Sequence, residues 1–177
     1  MFRNILVCVD GSAHAERALT EAIDIAISNR ARLSILTAVC RPSGWACTPL
    51  TIAAIEPLAA DLELEAQTAL RDAVDRVPES VPVTKILSHA PIREALMSRL
   101  REGDHDLLVM GTRGRRPLTA SLMGSVSHYA LHHSPVPVLI VHSDEDPAGA
   151  ACEEPESATP GRMLAPPGFS TPGSSPA

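Results

Sequence analysis

Several things are missing from this chain, and each absence removes a class of protein. No apolar run approaches the roughly 20 residues that a membrane-spanning helix needs. The opening Met-Phe-Arg-Asn enters a strand-like run at once, which predicts no secretory signal. The four cysteines, Cys8, Cys40, Cys47 and Cys152, lack Cys-x-x-Cys spacing. Reduced thiols in the cytoplasm are the expectation, with a Cys40–Cys47 redox pair as the weaker alternative. The glycine fingerprint of dinucleotide-binding folds is absent after the first strand. The P-loop is absent too, and the one lysine, Lys85, falls in another strand. No Gly-x-Ser-x-Gly elbow surrounds Ser12, and no obvious His or Asp partner serves it, which argues against a serine nucleophile.

A basic surplus is also missing. The net charge is −6, but from Asp144 onward six acids face one arginine, which leaves 14 bases against 15 acids in residues 1–143. A near-neutral domain has no electrostatic footprint for nucleic acid. The stretch 144–177 holds seven prolines and four glycines with no helical or strand period. It buries too little apolar surface to offset its ordering entropy, so it reads as a disordered tail. Residues 1–143 read as one domain, long enough for a real core.

Within that domain the apolar pattern alternates between two periods. Buried strands are expected at 4–9, 33–39, 83–87, 106–110 and 137–142. Between them lie helical stripes. The first is Ala15, Ala18, Leu19, Ala22, Ile23 and Ala26, with Ser12 as N-cap and Glu16 in the first turn. The second runs from about Glu56 to Val77, with Leu58, Leu62, Ala66, Leu70 and Ala73 inward. The third, Ile92 to Arg101, has Pro91 at its start. The fourth follows Ser125, with Val126, Tyr129, Ala130 and His133 in step. Strands separated by helices make a doubly wound, Rossmann-like α/β domain with a five-stranded parallel sheet and helices on both faces. Ligands bind such sheets at the carboxyl ends of the strands, at the switch point in strand order.

The densest chemistry lies from Leu107 to Val126. A short apolar run ends in Gly111 and Gly114, and nine residues later Gly124-Ser125 opens a helix. Glycines let backbone approach a ligand closely, and a helix N-terminus offers unpaired N–H groups and a positive dipole end. Arg113, Arg115 and Arg116 add positive charge, so the loop reads as a phosphate cradle.

This Gly-x2-Gly-x9-Gly-Ser spacing resembles the nucleotide-binding loop of the universal stress proteins. Val-Asp-Gly-Ser at 9–12 is similar to that family's first-strand ending. Leu-Thr-Ala-Val at 36–39 sits where its second strand meets adenine, and Pro-Val-Pro-Val-Leu-Ile-Val at 135–141 resembles its closing strand. One departure is His89-Ala-Pro91, where the family often has Gly-x-Pro. The resemblance spans residues 1–143. It implies strand order 3-2-1-4-5, ATP with or without Mg²⁺ as ligand, and a homodimer through the fifth strand.

Each candidate residue then has an expected role. Phosphates would lie on the N–H groups of Gly114, Gly124, Ser125 and Val126, behind Gly111 and near Arg113. Asp10, in a turn with Gly11 and Ser12, would meet the base or ribose, or hold Mg²⁺ through water. Ala38 would present its backbone to the adenine edge, and Met110 would pack either on the nucleoside or in the core. His128 and His132 have i, i+4 spacing, but Tyr-Ala-Leu between them lacks the Glu of a zinc protease helix, so no metal site is assigned. The leading functional reading is a cytoplasmic, ATP-binding stress-response module for binding or signalling. A slow ATPase or autokinase in the same pocket and a nucleotide-free protein-interaction module are the alternatives. With no catalytic lysine and no evident water-positioning residue, a fast phosphoryl-transfer enzyme is not expected.

Overall fold

Residues 1–39, 49–114 and 123–143 are described by a computed structural model of the protein. The elements in chain order are β1 (Asn4–Cys8), α1 (Ala13–Asn29), β2 (Arg32–Ala38), α2 (Pro49–Asp75), β3 (Val83–Ser88), α3 (Ile92–Glu102), β4 (Leu107–Gly111), α4 (Ser125–His133) and β5 (Val138–Val141). The sheet is parallel throughout, in the order β3-β2-β1-β4-β5. The chain winds from β1 outward to β3, then crosses to β4 and winds the other way. Right-handed crossovers therefore place α1 and α2 on one face and α3 and α4 on the other.

Strand period decides which core each residue joins. Ile5, Val7, Leu33, Ile35, Leu107 and Val109 pack beneath α1 and α2. Their neighbours Leu6, Leu36, Leu108 and Met110 point the opposite way, toward α3 and α4. Both faces are covered, which is why these strands read as continuous apolar runs rather than alternating ones. Each full burial of such a side chain is worth about 1.5–3 kcal/mol relative to exposure.

α1 forms as its sequence dictates. Ser12 caps it, with Oγ accepting from the Ala15 N–H at 3.3 Å, and the alanine-rich stripe is buried against the sheet. α2 departs from expectation. It begins at Pro49, seven residues before Glu56. It runs through Pro57, where a missing donor makes an interior helix look improbable from sequence alone. Leu58 is 51% exposed and Leu62 half-buried rather than inward; only Ala66, Leu70 and Ala73 reach the core. Among the described side chains of α2, the turns from Ala66 onward carry the buried residues. His133, expected on the inner stripe of α4, is exposed.

Cys40, Cys47, Arg115, Arg116 and the stretch 144–177 lie outside the described residues. No described helix is long and apolar enough to cross a membrane.

Candidate functional site

The winding reverses between β1 and β4, and the chain ends of these two strands meet there. β1 delivers Asp10, whose Oδ1 accepts from the Ser12 hydroxyl at 2.6 Å and the Ser12 N–H at 3.1 Å. Gly11 between them has φ +77°, a conformation that only glycine adopts cheaply. The turn therefore fixes the carboxylate above the strand end while starting α1.

β4 delivers the glycine loop to the same place. A β-carbon on Gly114 would lie 2.5 Å from Oδ2 of Asp10, so the loop backbone runs directly over that carboxylate. Gly124 closes the loop from the other end. Its N–H donates to the Thr112 carbonyl at 2.7 Å, and a β-carbon there would press on that carbonyl at 3.2 Å. The hydroxyl of Ser127 donates to the Gly111 carbonyl at 2.8 Å, holding the first turn of α4 against the strand end. The N-terminus of α4, with Ser125 and Val126 as its first residues, thus points at the switch point beside Asp10. First-turn N–H groups lack helical acceptors and attract anions.

The structure adds detail to these expectations. The Gly124 N–H donates to the Thr112 carbonyl in this structure, which leaves Gly114, Ser125 and Val126 as the donors the phosphate reading rests on. Gly124 is also the N-cap of α4, with no side-chain cap, and Ser125 is the first helical residue. Gly111 serves packing, since a β-carbon on it would strike the backbone of His14 at 2.7 Å. Met110 is 4% exposed and belongs to the core beneath α3 and α4, the packing alternative of its two roles. Ala38 ends β2 and is half-buried, two strands across the same edge. Arg113 is half-buried in the loop beside Gly114.

Charge at the edge is graded. Desolvation, and secondarily the Asp10 carboxylate, pushes the Cys8 thiol up to about 12, so it is neutral at physiological pH. A cleft of about 480 Å³ opens on the other side of Asp10, between α1 and α2. Its rim carries Glu16, Glu65 and Asp72 against the single Arg76. That balance disfavours a polyphosphate in this cleft.

The sequence reading missed a cluster behind the loop. Thr112 Oγ1 lies 3.3 Å from Nδ1 of His14 and 3.2 Å from Nδ1 of His142. The same His14 nitrogen accepts the Ser143 N–H at 2.9 Å. His14 is 8% exposed on the buried stripe of α1, and that placement of a polar residue was the available signal.

The family model described as the universal stress protein family matches residues 1–142. The chain belongs to the universal stress protein family. Universal stress protein YxiE of Bacillus subtilis is 30% identical over 148 residues, 80% of this chain and 99% of its own. The structure of universal stress protein UspA from Lactobacillus plantarum is 26% identical, with TM-score 0.68 over 78% of this chain and 97% of that one. A universal stress protein solved in complex with cAMP is 28% identical, with TM-score 0.59 over 80% of this chain and 97% of that one.

Proposed function

We propose that this universal stress protein binds ATP at the junction of β1 and β4 and acts in the cytoplasm as a nucleotide-dependent binding or signalling module. The observation that carries the reading is the pair of close approaches at the loop. Gly114 passes over the Asp10 carboxylate, and Gly124 packs on the Thr112 carbonyl, which leaves α4's first turn aimed into the gap. A side chain at Gly114 would press on the Asp10 carboxylate and one at Gly124 on the Thr112 carbonyl, so either would displace the loop that is to hold the phosphates. The relative solved with cAMP supports adenine nucleotide as the ligand class.

In this reading the phosphates lie on the N–H groups of Gly114, Ser125 and Val126, with Arg113 beside them. The base lies toward Ala38 and Asp10, and Asp10 contacts Mg²⁺ through water when the ion accompanies ATP. The described edge holds no lysine, so the site suits holding a nucleotide better than transferring its phosphate. The working unit is a homodimer paired through β5.

Mass spectrometry of ligand released from the denatured, purified protein is expected to find an adenine nucleotide. Calorimetric titration with ATP is expected to show Gly124→Val at least tenfold weaker than the unmodified protein, with an unchanged circular dichroism spectrum. Equal affinity in a folded variant would place the ligand elsewhere.

A further inference from the structure

The three histidines of α4 have different fates. His133 is engaged: its ring stacks on Tyr129 with centroids 4.1 Å apart, and its Nδ1 lies 2.9 Å from the Tyr129 carbonyl. His128 and His132 are both exposed, and among the described residues neither ring makes a hydrogen bond or ion pair. They lie side by side one turn apart, centroids 4.7 Å apart and planes at 54°.

That separation has a chemical meaning. With metal–nitrogen bonds of about 2.0–2.1 Å, two imidazoles bound to one ion at a right angle have ring centroids roughly 4.5 Å apart, and at the tetrahedral angle roughly 5.2 Å. The observed 4.7 Å falls between these limits. Residues i and i+4 occupy one helix face, and both rings are exposed, so rotation about their side-chain bonds can turn a nitrogen of each toward one ion. His132 lies in the last turn of α4, where the negative end of the helix dipole favours a cation.

We propose that His128 and His132 chelate one divalent transition-metal ion on the surface of α4. Among the described residues no three His, Cys, Asp or Glu side chains converge on a point. The ion therefore keeps water in its remaining positions and exchanges readily. Neutral imidazole selects copper(II), nickel(II) and zinc(II), with copper(II) bound most tightly, and it rejects the oxygen-seeking magnesium and calcium. The proposal does not depend on the nucleotide reading. A chelate across one turn clips α4 in its helical form, so metal binding also stabilises the fold by mass action.

The test uses the full chain without an affinity tag, with its thiols alkylated and without nucleotide, since polyphosphates chelate the same ions. Titration with nickel(II) chloride is expected to give one ion per chain, with tighter binding for copper(II) chloride and no heat with magnesium chloride. His128→Ala and His132→Ala are each expected to weaken nickel binding at least tenfold and to abolish the metal-dependent rise in melting temperature. His133→Ala and His142→Ala are expected to bind as the unmodified protein does. Both rings of the pair are exposed, so their loss leaves the fold intact, and His132→Gln is the second variant to read should the alanine form prove unstable. The assignment is overturned if nickel does not bind, if neither ring matters, if His133→Ala or His142→Ala weakens binding equally, or if magnesium competes.

Discussion

Ser143 donates its backbone N–H to Nδ1 of His14, 2.9 Å away and 129 residues earlier in the chain. The bond joins the residue just beyond β5 to the first turn of α1. Because the N–H donates, the ring nitrogen that receives it carries no proton. Thr112 stands beside the same nitrogen, so the glycine loop, α1 and the chain leaving β5 share one polar contact point.

A chain ending at Ser143 is accordingly expected to keep the melting temperature and nucleotide affinity of the full protein. The acidic, proline-rich remainder has little apolar surface to contribute. His14→Ala removes an acceptor from a buried N–H, a change that costs about 1–3 kcal/mol. Thermal melts of both proteins check this. A fall of many degrees on truncation alone would mean that residues after 143 pack on the domain.

The contact between Asp10 and Gly114 yields a second expectation. Gly114→Ala would set a methyl group 2.5 Å from Oδ2 of Asp10, so the carboxylate or the loop must move. Gly114 is exposed, so stability is expected to change little. ATP affinity is expected to fall at least tenfold by calorimetry. An alanine variant that binds ATP normally would show that the loop does not need this approach.

Much of this was legible in the chain, and the reason is physical. Strands buried on both faces carry their signal in every residue, so Ile5–Val7 and Leu107–Met110 declare themselves. Ser12 and Glu16 act within one turn, where short-range rules apply. The glycine loop has a spacing that a family shares. What could not be read depends on contacts between distant segments. Gly111 is required by His14, which lies 97 residues away in a helix crossing β4. The commitment of the Gly124 N–H follows from how the loop closes on Thr112, which spacing does not state. The start of α2 was missed because Pro57 resembles a helix beginning when only local rules are applied.

At the amino ends of the strands, just before β4, His105 offers a pH test. Its Nδ1 lies 3.0 Å from the Arg99 carbonyl, so Nδ1 is the protonated nitrogen; Nε2 is buried with no partner among the described residues. Burial holds its pKa below the ordinary histidine value, and the Arg99 charge adds to this. The Arg99 carbonyl, Asp106 and Asp104 oppose it without prevailing. The unfolded chain therefore binds the proton more readily than the folded one, and stability rises with pH through this window. The contribution is complete above the unfolded value of about 6.5 and is lost as pH falls through the lower folded value. Urea midpoints measured between pH 5 and 7.5 are expected to fall toward acid. His105→Asn keeps a donor for Arg99 and is expected to show a shallower slope. An identical slope in the variant would assign the acid sensitivity to other groups.

The last expectation concerns assembly, and the hydrogen-bond directions at β5 specify how to test it. β5 is an outer strand of the sheet, and Val138, Leu139 and Ile140 are each only half-buried. An apolar edge strand invites pairing unless it is covered. The N–H groups of Leu108 and Thr112 donate to the carbonyls of Pro137 and Val141, so by the two-residue period positions 137, 139 and 141 face β4. Val138 and Ile140 therefore turn their backbone groups outward. A two-fold axis beside β5 would pair those groups antiparallel with a second copy, the self-complementary contact of the commonest oligomers. Leu139→Pro would damage the sheet itself. Ile140→Pro removes only an outward donor, and proline is tolerated on edge strands. Light scattering at tens of micromolar, roughly the range in which ordinary homodimers are populated, is expected to find a dimer for the unmodified protein and a shift toward monomer for Ile140→Pro. ATP affinity is expected to be unchanged in that variant. A monomeric unmodified protein under those conditions, or an Ile140→Pro dimer of full strength, would remove β5 from consideration as the contact.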